Sequence, residues 1–310
     1  MIDALTSLVA PLGTLKDADL LTGGQFATTY RVTMTDGSRV VVKTAPVGTD
    51  QLLTYERDLL RAEALVYGLA ASVPELLMPR VLLTDFSRTV LPSDVLVVSH
   101  LPGVPMVDSG LADDDPRTMR DLGAVMAALH GLTGDAFGYP SAPAPTWRIA
   151  FERMVEDLLA DADRWSVAVP AAEVRAAVAR HAHVLASVDR PALVHTDLWA
   201  GNLFVTPGTG ALVGVIDPER ALWGDPVLEL VGVHQMRRDP PPAALLEGYG
   251  PGLDVTSASA RTRLELYRMR HCLVMAIEIA PRRFEGDWVD GHRAKVTANL
   301  HAALAALRSS

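Results

Sequence analysis

The stretch LVHTDLWAGNLFV, residues 193–205, sets His195, Asp197 and Asn202 between two apolar runs. Leu193-Val194 and Leu203-Phe204-Val205 read as buried β-structure, so the polar residues sit at the edge of a core, where each needs a partner or a purpose. Fifteen residues after Asn202, the apolar run of VIDPE ends in Asp217. The pattern H-x-D-x-x-x-x-N with a later strand-terminal Asp suits metal-assisted phosphoryl transfer. Asp197, on a loop, can orient an attacking hydroxyl and take its proton, while Asn202 and Asp217 offer hard oxygens to Mg2+. A strand out and a strand back would return Asp217 beside Asn202.

Phosphoryl transfer also needs a cation on the phosphates. The chain has only three lysines, Lys16, Lys43 and Lys295, and VVVK ends a short apolar run in the second of them. A compact ammonium suits point contact with phosphate oxygens where a planar guanidinium needs more room. A buried cation needs a counter-charge, and the next helix offers Glu63, with Glu56 as the alternative. Ahead of this strand, LTGGQFATTYRV has Gly23 and Gly24 for close backbone approach, and the N–H groups of Gln25 to Thr28 are placed to cradle phosphate.

Several elements must position these groups. DLLTGG, TYRVTM and RVVVKTA, with the turn signal DGS at 36–38, spell an antiparallel meander. Residues 54–71 have the spacing of a helix with Leu59, Ala62, Val66 and Leu69 on one face. RVLLTDF and DVLVVSHL return to strand. After Pro102-Gly103 the chain turns helical in TMRDLGAVMAALHGL, WRIAFERMVEDLLADADRW and PAAEVRAAVARHAHVLASV, the last opening with Pro170. NLFV, TPGTG and ALVGVI form a hairpin within that helical half. The expected organisation is a small β-rich lobe over 1–98, a connection at 99–104 and a larger, mainly helical lobe over 105–310.

Composition narrows the function further. A net charge of −9 argues against a nucleic-acid surface and permits an acidic cleft for a cationic ligand. One cysteine, Cys272, excludes an internal disulfide and a Cys-based zinc site. The start lacks a basic signal region and no apolar run is long enough to span a bilayer, so a cytoplasmic protein is expected. His181 and His183 point to different helix faces and do not make a metal pair. His195 is expected to brace its loop, Asp225 before Pro226 to cap a helix, and Trp199 either to wall an acceptor pocket or to fill core. Carboxylates within 156–163, or Glu278, Glu285, Asp287 and Asp290, are the candidates for meeting a cationic acceptor.

The succession GGQFATTYRV, VVVK, RAEALVYGLA, VVSHLPG, LVHTDLWAGNLFV and VIDPERALWGDP, spanning 20–230, resembles the aminoglycoside phosphotransferase family of protein-kinase-like small-molecule kinases. DLWAGN is also similar to the fructosamine kinases. The resemblance implies a two-lobed α+β kinase-like fold, with Asp197 as catalytic base, Asn202 and Asp217 on Mg2+, Lys43 on the nucleotide phosphates and Glu63 holding Lys43. It implies a phosphate loop of Gly24, Gln25, Phe26, Ala27 and Thr28, and an adenine edge on the backbones of Ser99 and Leu101. Phe26 stands where many relatives have a small hydroxyl residue, so a backbone contact must serve there. ATP is the implied nucleotide, GTP being possible. The implied acceptor is a cationic amino sugar or aminoglycoside-like antibiotic, or a sugar-amine adduct. A non-catalytic pseudokinase is opposed by the joint presence of Lys43, Asp197, Asn202 and Asp217. A hydrolase built on His195 and Asp197 would need further His ligands that the hairpin lacks.

Overall fold

The structure, a computed structural model, describes residues 2–21 and 26–310. Its first part is a helix α1 (Ile2–Val9), strands β1 (Leu15–Leu21), β2 (Thr28–Met34) and β3 (Arg39–Thr44), helix α2 (Leu59–Ala70), and strands β4 (Val81–Asp85) and β5 (Val95–Ser99). The strands form one antiparallel sheet in the order β1-β2-β3-β5-β4. Alternation along β3 and β5 divides their side chains between two faces. Val40, Val42, Val95 and Val97 pack with Leu5, Leu8 and Val9 of α1, a helix the strand-rich reading did not anticipate. Leu96 and Val98 pack with Leu60 and Tyr67 of α2. Lys43 shares the parity of Val41 on β3, and this carries it to the α2 face.

The expected helix over 54–71 is shorter than its periodicity suggested. Residues 54–56 form a 3₁₀ turn, Asp58 takes a left-handed conformation at φ 64°, and α2 begins only at Leu59. Glu56 causes the interruption by turning inward, where its carboxylate accepts the Leu53 N–H at 2.8 Å and the Arg282 guanidinium at 2.5 Å. The buried stripe of α2 is Leu59, Leu60, Glu63, Val66, Tyr67 and Ala70, so an acid lies in the middle of the apolar face.

The rest of the chain is mainly helical. A two-residue strand β6 (Val104–Pro105) leads to α3 (Pro116–Gly131), α4 (Trp147–Arg164), α5 (Ala171–Arg180) and α6 (Ala182–Ala186). The last two were expected as one helix; the chain breaks at His181, whose Nε2 meets the Leu307 carbonyl at 2.7 Å. Strands β7 (Ala192–Val194), β8 (Leu203–Val205), β9 (Leu212–Val215) and β10 (Leu222–Gly224) follow, then helices α7 (Glu229–His234), α8 (Ala243–Tyr249), α9 (Ala258–Ile277) and α10 (Trp288–Ser309). Strands β8 and β9 form the expected hairpin, and β6 adds to its open edge. That addition brings the segment after β5 against the hairpin. Gly103 sits there at φ 89°, and a Cβ on it would lie 2.7 Å from the Val205 carbonyl oxygen, so only glycine fits.

A large apolar cluster joins α3, α4, α9, α10 and the short strands, with Trp147, Phe151 and Tyr267 at its centre. None of the described helices is long and apolar enough to cross a membrane.

Candidate active site

The loop between β7 and β8 carries His195, Asp197 and Asn202, and a buried carboxylate holds it from behind. Glu229, at the start of α7, accepts the His195 N–H at 2.8 Å and the Thr196 N–H at 2.7 Å. Thr196 has φ 70°, unfavourable for a β-branched residue; these bonds, with its hydroxyl donating to the Arg220 carbonyl at 3.1 Å, hold it there. Close packing helps. A Cβ on Gly232 would lie 2.5 Å from the Thr196 carbonyl oxygen, so α7 approaches the loop only because that residue is glycine. His195 is fully buried, with Nε2 at 3.0 Å from the Ile216 carbonyl and Nδ1 receiving the Asp197 N–H at 3.3 Å. The expected bracing role matches this geometry. Asn202 donates from Nδ2 to the Asp197 carbonyl at 2.9 Å and to its carboxylate at 3.3 Å.

The hairpin brings the second acid back. Ile216 N–H donates to the Asn202 carbonyl at 3.0 Å, and Asp217 follows at φ 60°, its own N–H on the Tyr67 hydroxyl at 3.1 Å. Lys43 Nζ then reaches three oxygens: Glu63 Oε1 at 2.7 Å, Glu63 Oε2 at 2.6 Å and Asp217 Oδ1 at 2.6 Å. Burial by itself would lower the ammonium's pKa, but Asp217 and Glu63 hold it well above the ordinary lysine value, so the cation persists. The partner of Lys43 is therefore Glu63, and Glu56 belongs to Arg282. We expect Glu63→Gln to cost about tenfold in kcat/KM for the nucleotide. Glu56→Gln should instead lower the thermal midpoint while leaving the nucleotide KM in place; the reverse pattern in steady-state kinetics would reassign the lysine.

Asn202 Oδ1 and Asp217 Oδ2 accept no hydrogen bond from the described residues, which leaves two hard oxygens for a metal. The surrounding charge also suits a divalent cation. Four carboxylates, Glu63, Asp197, Asp217 and Glu219, gather here around Lys43 and Arg220. Burial, reinforced by Asp217 and Glu63 against Lys43 and Arg220, pushes Glu219 up to about 8. Burial likewise raises Asp197, with Arg220 and His195 opposing it. The donor set fits Mg2+, which favours carboxylate and amide oxygens.

The remaining expected residues fall as follows. Gly24 and Gln25 lie outside the described residues. Phe26 and Ala27 are half-buried, and Thr28 opens β2 opposite Thr44. Ser99 N–H donates to the Arg80 carbonyl at 2.9 Å, so that group is already engaged. Leu101 N–H has no partner among the described residues, and its side chain covers Gly214 of β9. Trp199 is 38% exposed, its ring lying over Gly201, which removes the core alternative. Asp225 caps the turn before α7 through the Val227 N–H at 3.1 Å, and also binds Arg263 and the Tyr267 hydroxyl, each at 2.6 Å. Sequence reasoning missed Glu229, Arg220 and Glu219. Glu229 had a signal: an acid inside the apolar run VLELV must have a buried partner.

A five-stranded sheet whose lysine pairs a helix glutamate, set above a hairpin that returns an aspartate to that lysine, defines a protein-kinase-like phosphotransferase. Residues 17–267 match the sequence profile of the phosphotransferase enzyme family, APH, and the chain belongs to that family. It is a small-molecule kinase. No curated protein matches the sequence. Among solved structures, a candidate fructosamine-3-kinase of Thermobifida fusca YX-ER1 is 20% identical with a TM-score of 0.66, over 96% of this chain and 98% of that one. A thermostable variant of aminoglycoside phosphotransferase APH(4)-Ia, crystallised with AMP-PNP and hygromycin B, is 18% identical over 96% of each chain, TM-score 0.66. The choline kinase LicA of Streptococcus pneumoniae is 16% identical over 97% of this chain and 98% of its own, TM-score 0.63. At these identities the likeness is one of fold.

Proposed function

We propose that this kinase moves the γ-phosphoryl group of ATP, or of GTP, to a hydroxyl of a small molecule held beside the 195–202 loop. The observation that carries the reading is the meeting of Lys43 with both Glu63 and Asp217, one hairpin away from Asn202 and Asp197. Lys43 presents its charge to the nucleotide phosphates, and the backbones of Ser99 and Leu101 take the adenine edge. Asn202 and Asp217 would hold Mg2+, which when bound offsets the phosphate charge. Asp197 takes the acceptor hydroxyl proton as the new O–P bond forms and the bond from the γ-phosphorus to the bridging oxygen breaks, releasing ADP. A carboxyl raised by burial is better matched to that proton than an exposed one. Trp199 borders the acceptor.

An amine-bearing sugar, the acceptor expected from the sequence, needs a carboxylate of the helical lobe. Glu156 pairs with Arg175 at 2.9 Å, and Asp161 accepts the Thr54 N–H at 2.6 Å. Buried Glu278 lies between Arg220 at 3.5 Å and Arg282 at 3.3 Å. Asp157 forms no ion pair among the described residues; it lines a cavity with Tyr55, Tyr139, Ser141 and Arg270, and burial and then Asp161 raise its pKa. The test of the reaction is ADP release from ATP across hydroxylated amines and sugars, with and without Mg2+. We expect release that needs both metal and acceptor. Metal-independent release, or no nucleotide binding, would end the kinase reading.

A further inference from the structure

Beside the Asp197 loop lies a narrow recess of about 20 Å³ lined by Tyr55, Tyr139, Thr196, Arg220, Arg270 and His271. It shares Tyr55 and Tyr139 with a wider cleft of about 340 Å³ that reaches Glu219. The walls of the recess are cationic. Arg220 and Arg282 are matched by Glu278 and Glu56, two acids for two bases. Arg270 is in excess: it is 7% exposed, forms no ion pair among the described residues, and makes one hydrogen bond, to the Tyr139 hydroxyl at 2.5 Å. Asp157 lines a neighbouring cavity together with Arg270 but forms no ion pair with it.

Three buried nitrogens of residues lining this recess, Arg220 Nε, Arg270 Nε and His271 Nε2, have no hydrogen-bond partner among the described residues. Burial first, then Arg220, Arg270 and His292, depress His271 to about 3, so the ring is neutral. Water can satisfy an N–H donor but leaves the charge of a buried guanidinium uncompensated. An anion does both, and arginine binds carboxylate and phosphate with a planar fork.

We propose that the acceptor of the phosphotransfer reaction carries an anionic group, a carboxylate or a phosphate, held by Arg270 with Arg220 and His271. The inference rests on the kinase reading for the word acceptor, and on the recess alone for the anion.

Two measurements separate these. Thermal unfolding of the nucleotide-free protein, titrated with acetate or with inorganic phosphate, needs no turnover, and the stronger of the two names the anion. The native chain should gain roughly one to three degrees, a rise that Arg270→Met flattens and Arg270→Lys partly restores. Without added anion, Arg270→Met should unfold at the same or a higher temperature, having lost an uncompensated charge. A lower midpoint there, or parallel titrations of the two proteins, makes Arg270 a structural residue and overturns the proposal. In ADP release, gluconate, sorbitol and glucamine present one polyol chain with an acid, neutral or amine end. We expect gluconate to lead, with Arg270→Met costing about thirtyfold in its kcat/KM. A lead for glucamine assigns the charge to Asp157 and also overturns the proposal. If none of the three is phosphorylated, the titrations still decide the anion, and Mg-ATP binding decides the kinase reading.

Discussion

Asp197→Asn is expected to fold normally and lose about a hundredfold or more in kcat, measured as ADP release at saturating nucleotide and acceptor. The amide keeps an oxygen for Asn202 Nδ2, so the loop contact at 3.3 Å survives, as does the 2.9 Å bond to the backbone carbonyl. What disappears is the capacity to take a proton. Stability moves the other way. A carboxyl whose pKa is higher folded than unfolded destabilises the native state increasingly as pH rises past the unfolded value. Near neutral pH the neutral amide removes that penalty, so the thermal midpoint of the variant should equal or exceed that of the parent. Activity within about tenfold of the parent, roughly 1.4 kcal/mol of barrier, would take Asp197 out of the role of base.

The second large effect is at Asp217. Asp217→Ala should weaken Mg-ATP binding by about a hundredfold or more, because it removes a metal oxygen that Asn202 alone cannot replace. The metal-free protein should tolerate the change. Lys43 keeps both oxygens of Glu63, at 2.6 and 2.7 Å, and is not left as an unpaired buried cation. Affinity for ATP without metal should hold or rise, since the carboxylate nearest the phosphates has gone. Calorimetric titrations of the parent and variant, with and without Mg2+, read these quantities directly. An Mg-ATP affinity unchanged by the substitution would separate Asp217 from the metal and leave it as a lysine partner.

The arginines at 220 and 270 show the limit of reading charge from composition. A net charge of −9 permits an acidic acceptor cleft but does not place it, and the recess beside Asp197 holds Arg220 and Arg270. Net charge sums over a surface, whereas a site depends on which few charges the fold leaves unmatched. Glu156 and Glu278 looked available in sequence and are both paired, Glu156 with Arg175 and Glu278 with Arg220 and Arg282.

Much of the site is local, and local structure is legible from sequence. The spacing of Asp197, Asn202 and Asp217 follows from one loop and one hairpin, and strand alternation alone directs Lys43 to one face of its sheet. The two-part arrangement of strands and helices is legible for the same reason, since periodicity and turn residues act over a few positions. Glu63 could not be separated from Glu56 in this way, because the choice depended on Arg282 reaching Glu56 from 226 residues away and on the break at Asp58. Glu229 behind the loop, Gly232 beneath Thr196 and the unmatched charge of Arg270 are likewise decided by packing between distant segments. Pattern and spacing determined which chemistry the chain can perform. Only the tertiary structure determined which acids are paired and that buried Arg270 forms no ion pair among the described residues, because burial and pairing belong to the assembled core.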